Sequence, residues 1–459
     1  MTRNNDTLGN PIINVIQFVI LIVSIVLLFI VYGYIQSNVA VYNQNTLNLF
    51  LFTLITLKFI LDLYSFGPGL SSYSLLFLYF PIVSILLFGP EGKVAEVFNN
   101  NTGLINRHFY LIVFGCFYFY IVWSYLLFYT KKGYKDFDIK IVALFFNTNK
   151  SLLATNFFSF IAILSAIIYK PTIPGQSYIT LRQVDTLLPG SGWNMVVVIA
   201  YFFVLTGINK SKIRKFTLIF VPFWLIINYA RVDIMGVLLF YIIYIIFQKG
   251  LYKRKNWLFN RTIIRNLILL ILIVIIFSYV GIVRNIGLYF SLDMLIEAIF
   301  SLFNYPTIQD LVYSFAATVE VEKLYGTTNT ILWYFIKIIP SYLISFPEDA
   351  SKYVQSLITT NYGMHISGEF YLNYSFIGFL IAPFIFYFML LIPIRLMKWI
   401  FGNLGLALAY YLLIMTTARI YWYGYIYYIK PYFTIIPIFL ILYYLLCEIE
   451  KQIIKNKKR

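Results

Sequence analysis

Long apolar segments separated by short polar ones recur along the whole chain. A lipid core about 30 Å thick is crossed by about 20 consecutive apolar residues in a helix, whereas barrel strands are shorter and alternate apolar with polar residues. The pattern therefore predicts an all-α fold, a polytopic bundle of about twelve transmembrane helices. The predicted spans are 11–36, 47–66, 72–89, 109–130, 152–169, 193–209, 214–230, 232–248, 264–283, 371–394, 401–418 and 431–447.

The longest polar stretch, 284–370, follows the ninth predicted span. A long loop in a compact bundle is usually functional. Within it, the apolar segment 331–346 is shorter than a span and is broken by Pro340, which indicates an interfacial or re-entrant helix. We therefore predict one membrane domain over 1–459, with 284–370 as a large external loop that contains interfacial helices.

The charges predict the orientation of the chain in the membrane. The 35 Lys and Arg residues exceed the 18 acids, which gives a formal charge of +17. Because 61% of the residues are hydrophobic and only 12% are charged, we attribute this charge to loops facing an anionic cytoplasmic leaflet, not to nucleic acid binding. With a cytoplasmic N-terminus, most basic residues fall on the inner side, as in 131–150, 210–215 and 249–265, and most acids fall outside. Both termini are predicted to be cytoplasmic.

Some arginines lie near the outer ends of predicted spans despite the inward bias of basic residues. A guanidinium group binds phosphate through paired hydrogen bonds and keeps its charge, so a cluster would suit a lipid-linked phosphate or pyrophosphate. The alternative is snorkelling at helix ends, or pairing with acids such as Asp233 and Asp185. The four arginines are Arg182, Arg231, Arg284 and Arg419.

The segment GMHISGEFYLNYSFIGF, 363–379, leads into the tenth predicted span and carries several polar side chains. If this segment is helical, His365 and Glu369 are four residues apart and share a face. Such a pair could orient a sugar hydroxyl and accept its proton. Alternatively, Glu369 only neutralises one of the arginines. Candidate sugar contacts in the same segment are Tyr371, Asn373 and Tyr374.

Other polar or aromatic features have ordinary structural explanations. Lys58 and Asp62 lie one turn apart inside the second span, where a charge pair usually faces the bundle interior and compensates itself. The tyrosine-rich stretch 421–433 fits an aromatic belt, although Tyr421 could also stack on a sugar ring. His108, at the start of the fourth span, is interpreted as an interfacial residue.

Taken together, these motifs resemble those of the oligosaccharide repeat-unit polymerases, the Wzy-type enzymes of O-antigen, common-antigen and capsule synthesis. The resemblance extends over most of the chain in topology, while the specific motifs lie in its second half. They are YAR at Arg231, VRN at Arg284, IIPSYLISFPEDAS at 338–351, GMHISGEFYLNYSFIG from Gly363, and TAR at Arg419.

The resemblance implies a GT-C type glycosyltransferase at the outer face of the cytoplasmic (inner) membrane. Such enzymes transfer a glycan from one undecaprenyl pyrophosphate carrier to a repeat unit on another, and they need neither nucleotide nor metal; a chain-length regulator is a further possible partner. The resemblance assigns Arg231, Arg284 and Arg419, with Arg182 as a fourth, to the pyrophosphate. His365 and Glu369 match the motif on the acceptor side.

The first predicted external loop departs from the broader GT-C pattern. Many transferases of that class carry acids in this loop, whereas SNVAVYNQNT, 37–46, has none. Metal-assisted catalysis by carboxylates in this loop is therefore disfavoured. Substrate positioning and stabilisation of the leaving group become the expected mechanism.

Two other functions fit the same composition. An O-antigen ligase would perform the same chemistry with a different acceptor. A flippase for lipid-linked oligosaccharides would have a similar number of spans, but its charges should line a central cavity that opens to either side in turn. The arginines and the long loop are predicted at one face, which favours a transferase.

Overall fold

The computed structural model describes residues 45–66, 70–88, 102–129, 151–169, 193–208, 210–227, 291–300, 306–328, 365–423 and 426–457, and scattered positions at 15–33, 233–240, 268–279 and 331–339. Nearly all of these residues are helical, and none of them lies in a strand. The helices, in chain order, are α1 (Asn45–Phe66), α2 (Leu70–Phe88), α3 (Thr102–Tyr129), α4 (Leu152–Tyr169), α5 (Trp193–Leu205), α6 (Lys212–Ile227), α7 (Leu292–Phe300), α8 (Pro306–Tyr325), α9 (Ile366–Tyr423), α10 (Ile426–Phe433) and α11 (Ile435–Lys457).

Apolar helices long enough to cross a membrane are present, as the hydrophobic pattern predicts. The segments of sufficient length among the described residues are His108–Phe128, Ile366–Thr417 and Tyr428–Lys457. This confirms the all-helical fold and the membrane character of the chain. The number of twelve spans stays a prediction, because predicted spans such as 232–248 and 264–283 lie largely outside the described residues.

Helix α9 changes direction twice. The backbone leaves the helical conformation at Tyr374 and Ser375, and again at Gly402. A Cβ atom added at Gly378 would collide with the carbonyl group of Phe370, although residues eight apart in a straight helix are separated by about 12 Å. The chain therefore folds back at 374–375, and a short helix, 366–373, packs against the long arm that follows.

The second change of direction makes a helical hairpin. A Cβ atom at Gly405 would overlap the carbonyl of Met397, which lies on the other side of Gly402. The rings of Phe386 and Tyr421 are 5.5 Å apart, so the arms 376–401 and 403–423 run antiparallel. These arms correspond to the tenth and eleventh predicted spans.

The helices pack in two groups that α9 connects. Helices α2, α3, α8 and α9 contact one another, and α1 packs against α2 and α3. Helices α4, α5, α6 and α11 form the second group. Helix α9 contacts α10 and α5, and α10 contacts α11, so the α9 hairpin stands between the groups.

Helix α8 lies in a stretch predicted as a loop, yet it is part of the packed core. Phe315, Ala316 and Ala317 are buried, and Phe315 lies against Gly115 of α3. Small residues let two helices approach closely, and this gives packing energy that a hydropathy average does not register. The external location of 284–370 stays a prediction, and the predicted interfacial helix 331–346 lies mostly outside the described residues.

A buried polar network connects α1 to α3. Lys58 donates hydrogen bonds to Asp62 and to Ser124, the latter at 2.7 Å, and Tyr120 donates to the second carboxylate oxygen of Asp62 at 2.9 Å. The prediction that Lys58 and Asp62 compensate each other inside the bundle is confirmed. The two partners from α3 were not predicted.

Buried tyrosines donate hydrogen bonds to the backbone of neighbouring helices. The hydroxyl of Tyr428 donates to the carbonyl of Leu390 at 3.1 Å, and that of Tyr432 donates to Ala409 at 3.0 Å. A buried hydroxyl is costly unless it is bonded, so these contacts fix the position of α10 against the α9 hairpin. The predicted aromatic belt is wrong for these two tyrosines and for Tyr421, which are buried in the core.

Replacing Gly378 with Ala is expected to destabilise the fold by about 1–3 kcal/mol, because the new methyl group must push the backbone of Phe370 away. Thermal unfolding in detergent measures the effect. Gly33→Ala is the matched control, since a Cβ there meets no described atom within 4 Å, and its unfolding temperature should not fall. Equal unfolding temperatures for Gly378→Ala and the wild type would contradict the close packing at the reversal.

Candidate functional site

The short helix 366–373 begins inside the bundle and is capped by His365. The His365 carbonyl accepts hydrogen bonds from the amides of Gly368 and Glu369, at 2.9 and 3.2 Å. The ring atom Nδ1 accepts one from the amide of Ser367 at 3.2 Å, and the Ser367 hydroxyl donates to the carbonyl of Gly115 on α3 at 3.3 Å. The start of this helix is therefore fixed to α3.

His365 is enclosed by side chains of α3 and α8. Its ring lies parallel to that of Phe315 at 6.1 Å and edge-on to Phe119 at 6.2 Å, and Nδ1 is 3.8 Å from the sulfur of Cys116. Because the Ser367 amide donates to Nδ1, the hydrogen of the neutral ring is on Nε2. His365 is only 1% exposed, and Nε2 has no hydrogen-bond partner among the described residues.

Glu369 lies one helical turn after His365, as the sequence predicts for a helical segment. It is 4% exposed, and its carboxylate makes no hydrogen bond or ion pair with any residue that the structure describes. Acids are almost never fully buried unless they are paired, because loss of hydration is costly. His365 and Glu369 therefore place a buried imidazole N–H and a buried carboxylate on one face of the short helix.

The other polar residues of this segment have different environments. The side chain of Asn373 accepts a hydrogen bond from the amide of Ile331 at 3.0 Å and donates one to the carbonyl of Glu369 at 2.8 Å. Tyr371 is buried against Phe379, with ring centroids 4.7 Å apart. Tyr374 is exposed at the reversal. Of these three predicted sugar contacts, Tyr374 is the one that a ligand can reach from the surface.

Tyr421, the fourth predicted sugar contact, lies deeper in the bundle. Its ring is 5.5 Å from Phe386 and 6.4 Å from Trp123. A sugar that stacks on Tyr421 would have to enter the space between α3 and the α9 hairpin. The position is that of a core side chain.

Arg419 is the one predicted phosphate ligand whose position is described. One of its terminal nitrogens is 2.7 Å from the carboxylate of Asp233; Arg419 is 17% exposed and Asp233 is 0% exposed. Pairing with Asp233 is the alternative that the sequence offers for this arginine, and the structure confirms it. Arg182, Arg231 and Arg284 lie outside the described residues.

Two contacts near the short helix were missed by sequence reasoning. Nε2 of His108 is 2.7 Å from the carboxylate of Glu320, and the hydroxyl of Ser375 donates to Glu322 at 2.5 Å. Both acids lie on α8, which hydropathy does not identify as part of the bundle. The partners are distant in sequence, so no local spacing could indicate them.

The described chain is that of a helical membrane protein with a buried polar site on a discontinuous helix. No group of three or more His, Cys, Asp or Glu side chains that could hold a metal ion occurs in the described ranges. No family model matches the chain, and no curated protein or solved structure is significantly similar to it.

Proposed function

We propose that this protein is an integral-membrane glycosyltransferase that polymerises oligosaccharide repeat units carried on undecaprenyl pyrophosphate. The reaction is assigned to the outer face of the cytoplasmic membrane, in a GT-C-like bundle of about twelve spans with cytoplasmic termini. The observation that supports this proposal best is the buried pair of Glu369 and His365 on the short helix 366–373. The resemblance in sequence motifs supplies the substrate class.

In the proposed reaction, Glu369 acts as the general base. Its carboxylate takes the proton of an acceptor hydroxyl, whose oxygen forms a bond to the anomeric carbon of the donor glycan. The bond between that carbon and the pyrophosphate oxygen breaks, and undecaprenyl pyrophosphate leaves with the bonding electron pair. Base catalysis of this kind contributes about 10²- to 10⁴-fold to the rate. His365 orients the acceptor by donating its Nε2 hydrogen to a sugar oxygen.

Arg419 stabilises the leaving group. Negative charge develops on the pyrophosphate as it departs, and guanidinium donors that are already in place stabilise that charge without reorganising. Asp233 holds Arg419 from one side through the 2.7 Å ion pair. Arg182, Arg231 and Arg284 complete the pyrophosphate site in this proposal. Tyr374, the predicted sugar contact that is exposed at the reversal, provides a sugar contact.

The proposal is tested with purified protein and purified lipid-linked repeat units. We expect a ladder of polymers to form without nucleotide and in the presence of a metal chelator. An unchanged repeat unit after incubation with active, correctly folded protein contradicts the proposal. Transfer to lipid A core in place of a second repeat unit identifies a ligase.

A flippase is the second candidate, and the buried network of Lys58, Asp62, Tyr120 and Ser124 favours it. Charged residues inside a membrane bundle, together with a discontinuous helix, are common in transporters. The two functions differ in the leaflet where substrate accumulates when the protein is inactive. A polymerase leaves single repeat units on the outer leaflet, whereas a flippase leaves them on the cytoplasmic leaflet.

A further inference from the structure

The two reversals of α9 have nearly the same backbone geometry but different residues. Gly402 has φ 61° and ψ −141°, and Ser375 has φ 56° and ψ −145°. Glycine adopts a positive φ at little cost, whereas a residue with a Cβ is strained there. Ser375 is the only non-glycine residue with a positive φ among the described residues. Other contacts must therefore keep Ser375 in this conformation.

The end of α8 provides these contacts. The hydroxyl of Ser375 donates to a carboxylate oxygen of Glu322 at 2.5 Å. Hydrogen bonds to a charged acceptor are about twice as strong as neutral ones. The Glu322 carbonyl also accepts a hydrogen bond from the amide of Gly326 at 2.8 Å, and α8 ends at the residue before Gly326. Glu322 is thus held in place by its own helix.

The chain that follows α8 adds two more links to the same reversal. The amide of Thr328 donates to the carbonyl of Leu372 at 2.9 Å, and the amide of Ile331 donates to the side chain of Asn373 at 3.0 Å. These links act on the last residues of the short helix. The Ser375 hydroxyl is the contact that acts on the strained residue itself.

We propose that Glu322 and Ser375 form a positioning pair that sets the direction of the short helix 366–373. Because that helix carries His365 and Glu369, the pair determines where the imidazole and the carboxylate lie relative to α3. The functional importance of this placement rests on the proposed function. The conformational role of the pair does not depend on it.

Cys116 provides a reporter that does not need activity. Its thiol is buried and lies 3.8 Å from His365, so it is covered when the short helix is in place. In a Cys447→Ser background, it is the single thiol of the chain. The rate of its modification by a small membrane-permeant methanethiosulfonate measures how often the short helix moves away.

Glu322→Ala is expected to raise this labelling rate about tenfold, the factor that corresponds to the cost of one strained residue. Ser375→Ala should have the same effect, because it removes the hydroxyl and keeps the Cβ. Adding Ser375→Gly to Glu322→Ala should restore the slow rate, since glycine needs no contact to hold this conformation. Glu322→Gln, which keeps an acceptor oxygen, should be intermediate.

Glu320→Ala is the matched control on the same helix. It removes the contact with His108, so any increase in labelling that it causes should not be reversed by Ser375→Gly. The proposal is overturned if Glu322→Ala leaves the labelling rate unchanged, or if Ser375→Gly fails to restore it. The purified variants are compared by size-exclusion profile, so that global unfolding is recognised.

The polymerisation assay then separates this inference from the proposed function. Glu322→Ala should lower kcat with little change in KM, and Ser375→Gly should restore kcat. If the wild-type protein forms no polymer, the proposed function fails, while the labelling result still decides whether the pair positions the helix.

Discussion

Polymer formation by the Glu369→Gln variant is expected to be about 10²- to 10⁴-fold slower than by the wild type. Glutamine has nearly the same shape but cannot take the proton of the acceptor hydroxyl. The unfolding temperature should be unchanged or higher, because a neutral amide is less costly to bury than a carboxylate without a described partner. The rate is measured with purified lipid-linked repeat units, and stability by thermal unfolding in detergent.

Glu448→Gln is the control for the loss of one carboxylate. Glu448 is exposed and pairs with Lys451 at 2.5 Å, so its replacement should change neither rate nor unfolding temperature. If Glu369 only neutralises an arginine, Glu369→Gln leaves that cation unpaired. The unfolding temperature then falls and polymer still forms, which would falsify the role of Glu369 as a base.

Replacement of Arg419 by Ala is expected to destabilise the fold by about 3–5 kcal/mol and to abolish polymer formation. The loss of stability follows because Asp233, which is 0% exposed, loses its ion-pair partner. The loss of activity follows because the charge that develops on the pyrophosphate is no longer stabilised. Arg419→Lys should restore activity poorly, since an ammonium group lacks the paired donors of a guanidinium.

A double variant separates the two effects. Arg419→Met combined with Asp233→Asn removes both charges, so most of the stability should return. Polymer formation should not return if Arg419 contacts the pyrophosphate. Recovery of both stability and polymer formation would limit Arg419 to a structural ion pair.

The hydrophobic pattern was sufficient to predict the long apolar helices. The described spans His108–Phe128 and Tyr428–Lys457 correspond to predicted spans, and the α9 arms correspond to two more. The pattern could not predict α8, because Glu320, Glu322 and Lys323 lower its hydropathy. Its buried face consists partly of small residues, whose contribution comes from close contact with α3.

The candidate site was predicted in part. The sequence placed His365 and Glu369 on one helix face. That prediction depends only on a local spacing of four residues in a helix, and the helical conformation of the segment confirms it. The sequence also indicated Asp233 as an alternative partner for Arg419, because both residues lie near the ends of predicted spans. The sequence did not predict the reversal at Ser375. A positive φ is indicated by glycine, asparagine or aspartate, and serine is not one of these residues.

The sequence by itself determined that this is a helical membrane protein. In lipid, the backbone polar groups of an apolar segment must form hydrogen bonds within the protein, and a segment of this length does so by forming a helix. It also determined which charged and polar residues are exceptional in such segments. Only the tertiary structure decided which of them are paired and which are not. That outcome depends on contacts such as Arg419 with Asp233, Lys58 with Ser124, and Ser375 with Glu322, whose partners come from distant parts of the chain and meet only when the helices pack.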